Sequence, residues 1–179
     1  MSKTKTLTTI GVMTALICVA GPLSIPIGAI PLSLASFAVY MAGAVLGWKK
    51  GTAAVAIYLL IGMLGVPVFS GFSGGLQKLA GVTGGYLVGY LPCALITGLG
   101  VRASALENQS ARWQLPLGMV VGTVVLYAIG TAWFMAQTGN GLGASLSICV
   151  IPFVIGDAVK ILAASILAWP VRTALKVSG

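Results

Sequence analysis

Two residues of this 179-residue chain carry a carboxylate side chain, Glu107 and Asp157, and they stand in contrasting surroundings. Glu107 lies between Arg102 and Arg112 in a polar stretch and reads as solvated. Asp157 interrupts the apolar run Ile151-Pro-Phe-Val-Ile-Gly-Asp-Ala-Val-Lys-Ile-Leu162, and Lys160 follows it three residues on. On a helix, positions i and i+3 share a face, so an anion and a cation stand side by side about two turns inside an apolar segment. Either charge costs roughly 2.5–3.5 kcal/mol at the centre of a spanning helix. Two readings follow: a self-neutralising pair kept for structure, or a polar site inside a bundle. As a site, the aspartate would accept N–H donors and the lysine would attract a carboxylate, which is recognition chemistry. The chain has no histidine, which removes histidine general bases, histidine-ligated metals and Ser-His triads. No second buried acid supports a proton relay or a divalent-cation path. A pocket for a small, mostly apolar ligand with a few polar groups fits best.

A second group of candidates is Ser70-Gly-Phe-Ser-Gly-Gly-Leu-Gln-Lys-Leu-Ala-Gly-Val-Thr-Gly-Gly-Tyr86. Glycine permits positive φ and close backbone approach. Ser73, Lys78, Thr83 and Tyr86 are its polar and aromatic members, and backbone N–H groups at Gly74 and Gly75 together with Lys78 would hold a ligand's polar end. A plain re-entrant turn is the competing reading.

The elements that position these groups must belong to a membrane protein. Residues are 58% hydrophobic and 7% charged, against about a quarter charged in soluble domains, and the mean hydropathy is +1.06. Such a chain cannot coat a globule in water, which excludes a soluble enzyme and a disordered protein. The apolar runs are continuous rather than alternating, which argues against a barrel. A spanning helix takes roughly 20 residues, so six spans fill most of the length as one domain, residues 1–179. No Walker A pattern is present, so an ATP motor would have to be another chain. Six segments can be marked: Leu7–Ala20, Leu32–Leu46, Thr52–Leu64, Gly84–Leu99, Leu115–Phe134 and Pro152–Trp169. The second and third look short for full spans.

Net charge is +8. The cations are scattered between apolar runs and form no patch for nucleic acid. Lys3, Lys5, Lys49, Lys50, Arg102, Arg112, Arg172 and Lys176 all fall on one side of a six-helix weave, eight of the ten cations. The opposite connections, Gly21–Pro31, Val66–Thr83 and Ala136–Ser147, hold only Lys78. The positive-inside rule then places both termini in the cytoplasm. The outer connections Gly21–Pro31 and Val66–Gly75 are rich in Pro and Gly and read as segments folded over the outer mouth of the bundle. Small residues recur four apart at Gly11/Ala15, Gly43/Gly47, Gly81/Gly85/Gly89 and Gly118/Gly122, a spacing for close helix packing. Gly11 and Ala15 also offer a face for docking a partner. Cys18, Cys93 and Cys149 are scattered and read as small apolar residues, with no disulfide or metal spacing. Asn108-Gln-Ser110 has the letters of a glycosylation acceptor, but in an inner loop it reads as a chance match.

Five stretches together resemble the BioY family, the biotin-binding S components of energy-coupling factor (ECF) transporters: Ile25–Pro31, Met41–Gly51, Gly65–Gly75, Gly81–Tyr86 and Gly156–Lys160, in the family's order. The resemblance implies an all-α integral membrane protein of six helices with an outward-facing biotin pocket closed by loops. It implies biotin as transported ligand with no cofactor, no catalysis and no metal. It implies a membrane coupling protein and two cytoplasmic ATPases as partners, with membrane lipid around the bundle. Gly11 and Ala15 match the small face of the first helix that such proteins present to the coupling protein. Asp157 and Lys160 match the acid and base of the last helix, with Asp157 expected to accept a ureido N–H and Lys160 to attend the valerate carboxylate. The chain departs from relatives at Ser73, where some carry Asn, and at Leu87, where some carry Arg. Lys78 is the expected substitute cation. Other relatives carry Gln near Ala35 and Pro at Val82. An S component for another vitamin and a non-transporting membrane scaffold are the alternatives.

Overall fold

The computed structural model describes residues 3–27, 30–106 and 113–175. Glu107, the Asn108–Ser110 motif, Arg112 and Lys176 lie outside the described residues. The elements run α1 (Lys3–Ala20), β1 (Ser24–Ile27), β2 (Ile30–Ser33), α2 (Ala35–Met63), α3 (Leu76–Ala80), α4 (Gly84–Leu106), α5 (Gln114–Thr138), α6 (Leu142–Cys149) and α7 (Ile151–Ala174). Four helices are long and apolar enough to cross a membrane: α2, α4 over Gly84–Val101, α5 and α7. The protein is an all-α, multi-pass membrane bundle.

All six expected segments have helical counterparts, but not as six equal spans. The second and third are one element, α2, broken at Gly47, whose φ of 78° and ψ of 176° lie outside the helical region. A Cβ on Gly51 would strike the Ala42 carbonyl, although these residues would stand about 13 Å apart on a straight helix. The chain therefore doubles back at Gly47. Only glycine adopts that conformation without strain. The arms, residues 35–46 and 48–63, reach about 18 and 24 Å, short of a hydrocarbon core of about 30 Å, in keeping with their expected shortness. The first segment, α1, opens with Lys3 and Lys5 and is the least apolar of the long helices.

Close packing follows the glycines. On α4, a Cβ at Gly85, Gly89 or Gly98 would run into Trp133, Leu126 or the Trp48 backbone respectively. Gly100 of α4 faces Gly118 of α5, and Gly122 faces Cys93. The expected small-residue contacts at Gly85, Gly89, Gly118 and Gly122 are thus packing contacts, while Gly47 serves a turn and Gly81 ends α3. Cys93 and Cys149 are buried and Cys18 half-buried, all as free thiols.

The outer connections depart from plain loops. Ser24–Ile27 and Ile30–Ser33 pair antiparallel, with Ser24 opposite Ser33. The stretch Ala136–Ser147, expected as a connection, is mostly helical: α5 continues to Thr138, Gly139 ends it in a left-handed conformation, and α6 starts at Leu142. Its apolar composition, Leu142-Gly-Ala-Ser-Leu-Ser-Ile-Cys149, lets a short helix lie against α5 and α7.

α7 buries one stripe, Phe153, Asp157, Lys160, Ile161, Ala164, Ala168 and Arg172. Its other face exposes Ile155, Val159, Leu162 and Ile166. The helix is inside-out relative to a soluble one: its charges point into the protein and its aliphatic side chains outward, the arrangement suited to lipid.

Candidate functional site

Asp157 and Lys160 are 5% and 9% exposed, deep enough that every charge and proton needs a partner. The Lys160 ammonium donates to Asp157 Oδ1 at 3.0 Å, to Ser36 Oγ at 2.9 Å and to the Ser33 carbonyl at 2.7 Å. An ammonium has three N–H bonds, so all are taken by the protein. Ser36 Oγ in turn donates to Asp157 Oδ1 at 3.2 Å, and the Tyr127 hydroxyl donates to Asp157 Oδ2 at 2.6 Å. A carboxylate offers about four acceptor positions. Three are occupied, and the fourth, on Oδ2, is open. The site is neutral overall, its cation is satisfied, and it keeps one charged acceptor for an N–H from outside.

Asp157 lines a cavity. The cavity holds about 60 Å³, room for several waters on a scale where one takes about 10–15 Å³. Its polar wall is Ser33, Ser36, Asp157, Lys160, Tyr127 and Tyr58. Ile30, Pro31, Leu32, Ala35, Leu87, Leu126 and Phe153 supply an apolar wall, and Ser70, Thr83, Tyr86 and Tyr90 complete the lining. The β1–β2 hairpin contributes residues 30–33 and the glycine-rich connection contributes Ser70 and Thr83, so both outer connections close over the bundle as expected.

Four elements fix this geometry. Lys160 reaches across to the junction of β2 and α2, where Ser33 does three things: its carbonyl takes the lysine, its hydroxyl donates to the Gly21 carbonyl at 2.8 Å, and the same oxygen accepts from Ala35 N at 3.0 Å. α5 brings Tyr127. The Tyr86 hydroxyl of α4 donates to the Cys149 carbonyl at 3.0 Å, tying α4 to the end of α6 beside the cavity.

The sequence candidates divide accordingly. Asp157, Lys160 and Tyr86 come together at the cavity wall. Ser73, Gly74, Gly75 and Lys78 are not among the lining residues. Ser73 closes a tight hairpin with Phe69, across Gly71 and Phe72 at φ of 71° and 54°, and its hydroxyl donates to the Ser70 carbonyl at 2.8 Å. Gly71-Phe-Ser-Gly-Gly75 has the letters of a nucleophile elbow, but it is a hairpin in a chain without a histidine base. Gly74 lies against the Val66 carbonyl. Gly75, at φ of 89°, donates its N–H to the Gly62 carbonyl at 2.7 Å. Those residues shape the connection that carries Ser70 and Thr83. Lys78 is half-buried on α3. Gly11 and Ala15 are exposed on α1, and nothing lies within 4 Å of a Cβ placed at Gly11. Ser33, Ser36, Tyr58 and Tyr127 were missed, because their neighbours in sequence are apolar and their partners lie on other helices.

The fold and the site define a helical membrane protein with a small, part-polar pocket between its helices and two of its connections. Residues 1–177 match the BioY family over nearly the whole chain, and the chain belongs to that family. It is 40% identical to the biotin transporter BioY of Thermotoga maritima over 158 residues, 88% of this chain and 90% of that protein. It is 37% identical to the probable biotin transporter BioY of Pyrococcus horikoshii over 166 residues, 93% and 95% of the two chains. The fold matches the crystal structure of the S-component for biotin from an ECF-type ABC transporter, with a TM-score of 0.86 and 29% identity over 100% of this chain and 96% of that one.

Proposed function

We propose that this chain is a biotin-binding S component that serves biotin uptake together with an ATP-driven ECF module, and that residues 1–179 act as one substrate-binding domain in the cytoplasmic membrane of a prokaryote. The observation that carries this reading is the open acceptor position on Asp157 at an otherwise satisfied, neutral polar cluster. A cyclic urea N–H is a neutral donor that suits it. The names of the relatives and the matched S component supply the rest of the support.

The geometry revises the division of labour between Asp157 and Lys160. They are 3.0 Å apart, whereas biotin's ureido ring and carboxylate are separated by a four-carbon chain. Both residues therefore serve one end of the ligand. Asp157 Oδ2 accepts the ureido N–H, and Lys160, with its three N–H bonds spent, neutralises Asp157 and orients it through Ser36. The leucines and Phe153 take the thioether ring. The valerate carboxylate goes to the side of the pocket formed by Ser70 and Thr83, with Lys78 of α3 proposed as its cation and the Gly74–Gly75 backbone shaping the turn.

Gly11 and Ala15 form the docking face for a membrane coupling protein, which two cytoplasmic ATPases would drive. Replacing both with Leu should leave biotin binding intact and abolish co-purification with the coupling protein. The function is tested by saturation binding of radiolabelled biotin to the purified chain, with unlabelled biotin, thiamine and riboflavin as competitors. Displacement by biotin alone supports the reading. Displacement by thiamine or riboflavin, or no binding by a folded sample, sinks it.

A further inference from the structure

We propose that the connection from Leu64 to Leu76 is seated at the headgroup–acyl boundary of the outer leaflet, with Leu64, Phe72 and Leu76 as its lipid contacts. Lipid rather than water then backs the Ser70 wall of the pocket, whichever molecule the pocket takes. Depth is the first observation. Arg172 of α7 donates to the Ala44 and Val45 carbonyls, which sets the inner turn of α2 beside it. From that turn the second arm of α2 climbs about 24 Å, whereas α7 extends about 32 Å from Arg172 to its outer end at Ile151. Leu64 is therefore roughly 8 Å short of that end, near the level of Ile155. The side chains that α7 exposes around this level are Ile151, Val154, Ile155 and Val159, a set suited to lipid. Amphipathic elements at the membrane surface sink by a similar depth, about 5–10 Å.

The connection is built for such a place. Ile57 and Leu60 are exposed on the second arm of α2, and Leu64 follows on the same face. The lipid-facing stripe of the span thus runs on into the connection. Leu64 is 86% exposed and Phe72 69%, Val66 and Leu76 are exposed beside them, and residues 51–77 hold no charged side chain. Phe72 tips the hairpin between Phe69 and Ser73 at φ of 54°, a left-handed conformation that disfavours a bulky side chain. In water an exposed ring gives nothing in return for that strain, whereas burial in acyl chains stabilises it. The backbone agrees. Leu64, Gly65, Val68, Phe69, Gly71 and Gly75 all donate their N–H to carbonyls of the chain, and Pro67 has none to donate. Such internal pairing lowers the cost of taking irregular backbone out of water. Ser70 lines the cavity two residues before Phe72, so the lipid anchor and a piece of the pocket wall are one hairpin.

The test measures depth in vesicles of phosphatidylcholine and phosphatidylglycerol. The full chain, with Cys18, Cys93 and Cys149 changed to Ala and folding checked by thermal unfolding, carries a nitroxide label at Leu64→Cys, Phe72→Cys or Leu76→Cys. Ile155→Cys is the lipid reference, and Asn140→Cys, on the exposed turn before α6, is the water reference. Dissolved oxygen should relax the three labels severalfold more than a water-soluble nickel chelate does, as at the lipid reference, and the order should reverse at the water reference. A larger effect of nickel at the three sites would place the connection in water and overturn the proposal. Labels shielded from both reagents would show cover by protein, a second copy or another chain, and would overturn it equally. Phe72→Trp in the chain with its native cysteines gives an independent reading. Its added fluorescence should be quenched by lipid brominated in the upper acyl chain and spared by iodide, and the reverse pattern would overturn the proposal.

Discussion

α7 buries charge in two places, and they use it differently. Near its outer end, Asp157 and Lys160 stand at a cavity with one acceptor position open. Twelve residues on, about 18 Å along the axis, Arg172 is 8% exposed and donates to the Ala44 and Val45 carbonyls at 3.3 and 3.0 Å. Those carbonyls end the first arm of α2, where the break at Gly47 removes the helical N–H groups that would have satisfied them. Arg172 therefore caps a severed helix and is not among the residues that line the cavity at Asp157. The two regions share a helix, a face and an apolar setting. The two differ in whether the hydrogen-bond count closes within the protein: at Arg172 the charge serves the backbone, and at Asp157, which lines the cavity, one acceptor position is left over.

The comparison is broken most severely at Lys160. Lys160→Met leaves Asp157 buried without its cation, and the variant should lose about 3–5 kcal/mol of stability, read as a large drop in thermal unfolding temperature in detergent. Pairing it with Asp157→Asn should restore much of the stability but not biotin binding. Arg172→Met comes next. It orphans two carbonyls and should cost about 1–3 kcal/mol of stability, while biotin affinity measured on the folded fraction stays within about twofold. An equal loss of affinity in Arg172→Met would erase the distinction between the two regions. The smallest effect belongs to Tyr127→Phe, which removes one donor from Oδ2 and leaves the carboxylate freer to turn. Biotin affinity should fall about fivefold to tenfold with unfolding temperature little changed.

The sequence spoke clearly at Asp157 and Lys160, because a charge in an apolar run is costly and i, i+3 spacing puts two of them on one face. It also carried the weave, through cations gathered at alternate connections. It was silent about Ser33, Ser36 and Tyr127. Their bonds to the pair span 127, 121 and 30 residues, and a serine or tyrosine among apolar neighbours gives no sign of which helix it will meet. Arg172 looked like one more inner-side cation, since its role depends on a helix break more than a hundred residues earlier. The glycine-rich connection misled in detail. Its Gly74 and Gly75 serve close approach and positive φ, which in sequence look the same as backbone opened toward a ligand, while the lining falls to Ser70 and Thr83.

The central claim is that Asp157 holds the ligand through an open acceptor on a neutral, otherwise satisfied cluster. Its most direct test is titration of labelled biotin against the wild-type chain and Asp157→Asn, each checked for folding by thermal unfolding. An asparagine of the same shape keeps an oxygen but loses the charge that strengthens the bond. The account predicts saturable wild-type binding and an affinity lowered on the order of 100-fold in the variant, with a folded sample in both cases. Wild-type affinity in a folded Asp157→Asn protein would contradict it and return the pair to a purely structural role.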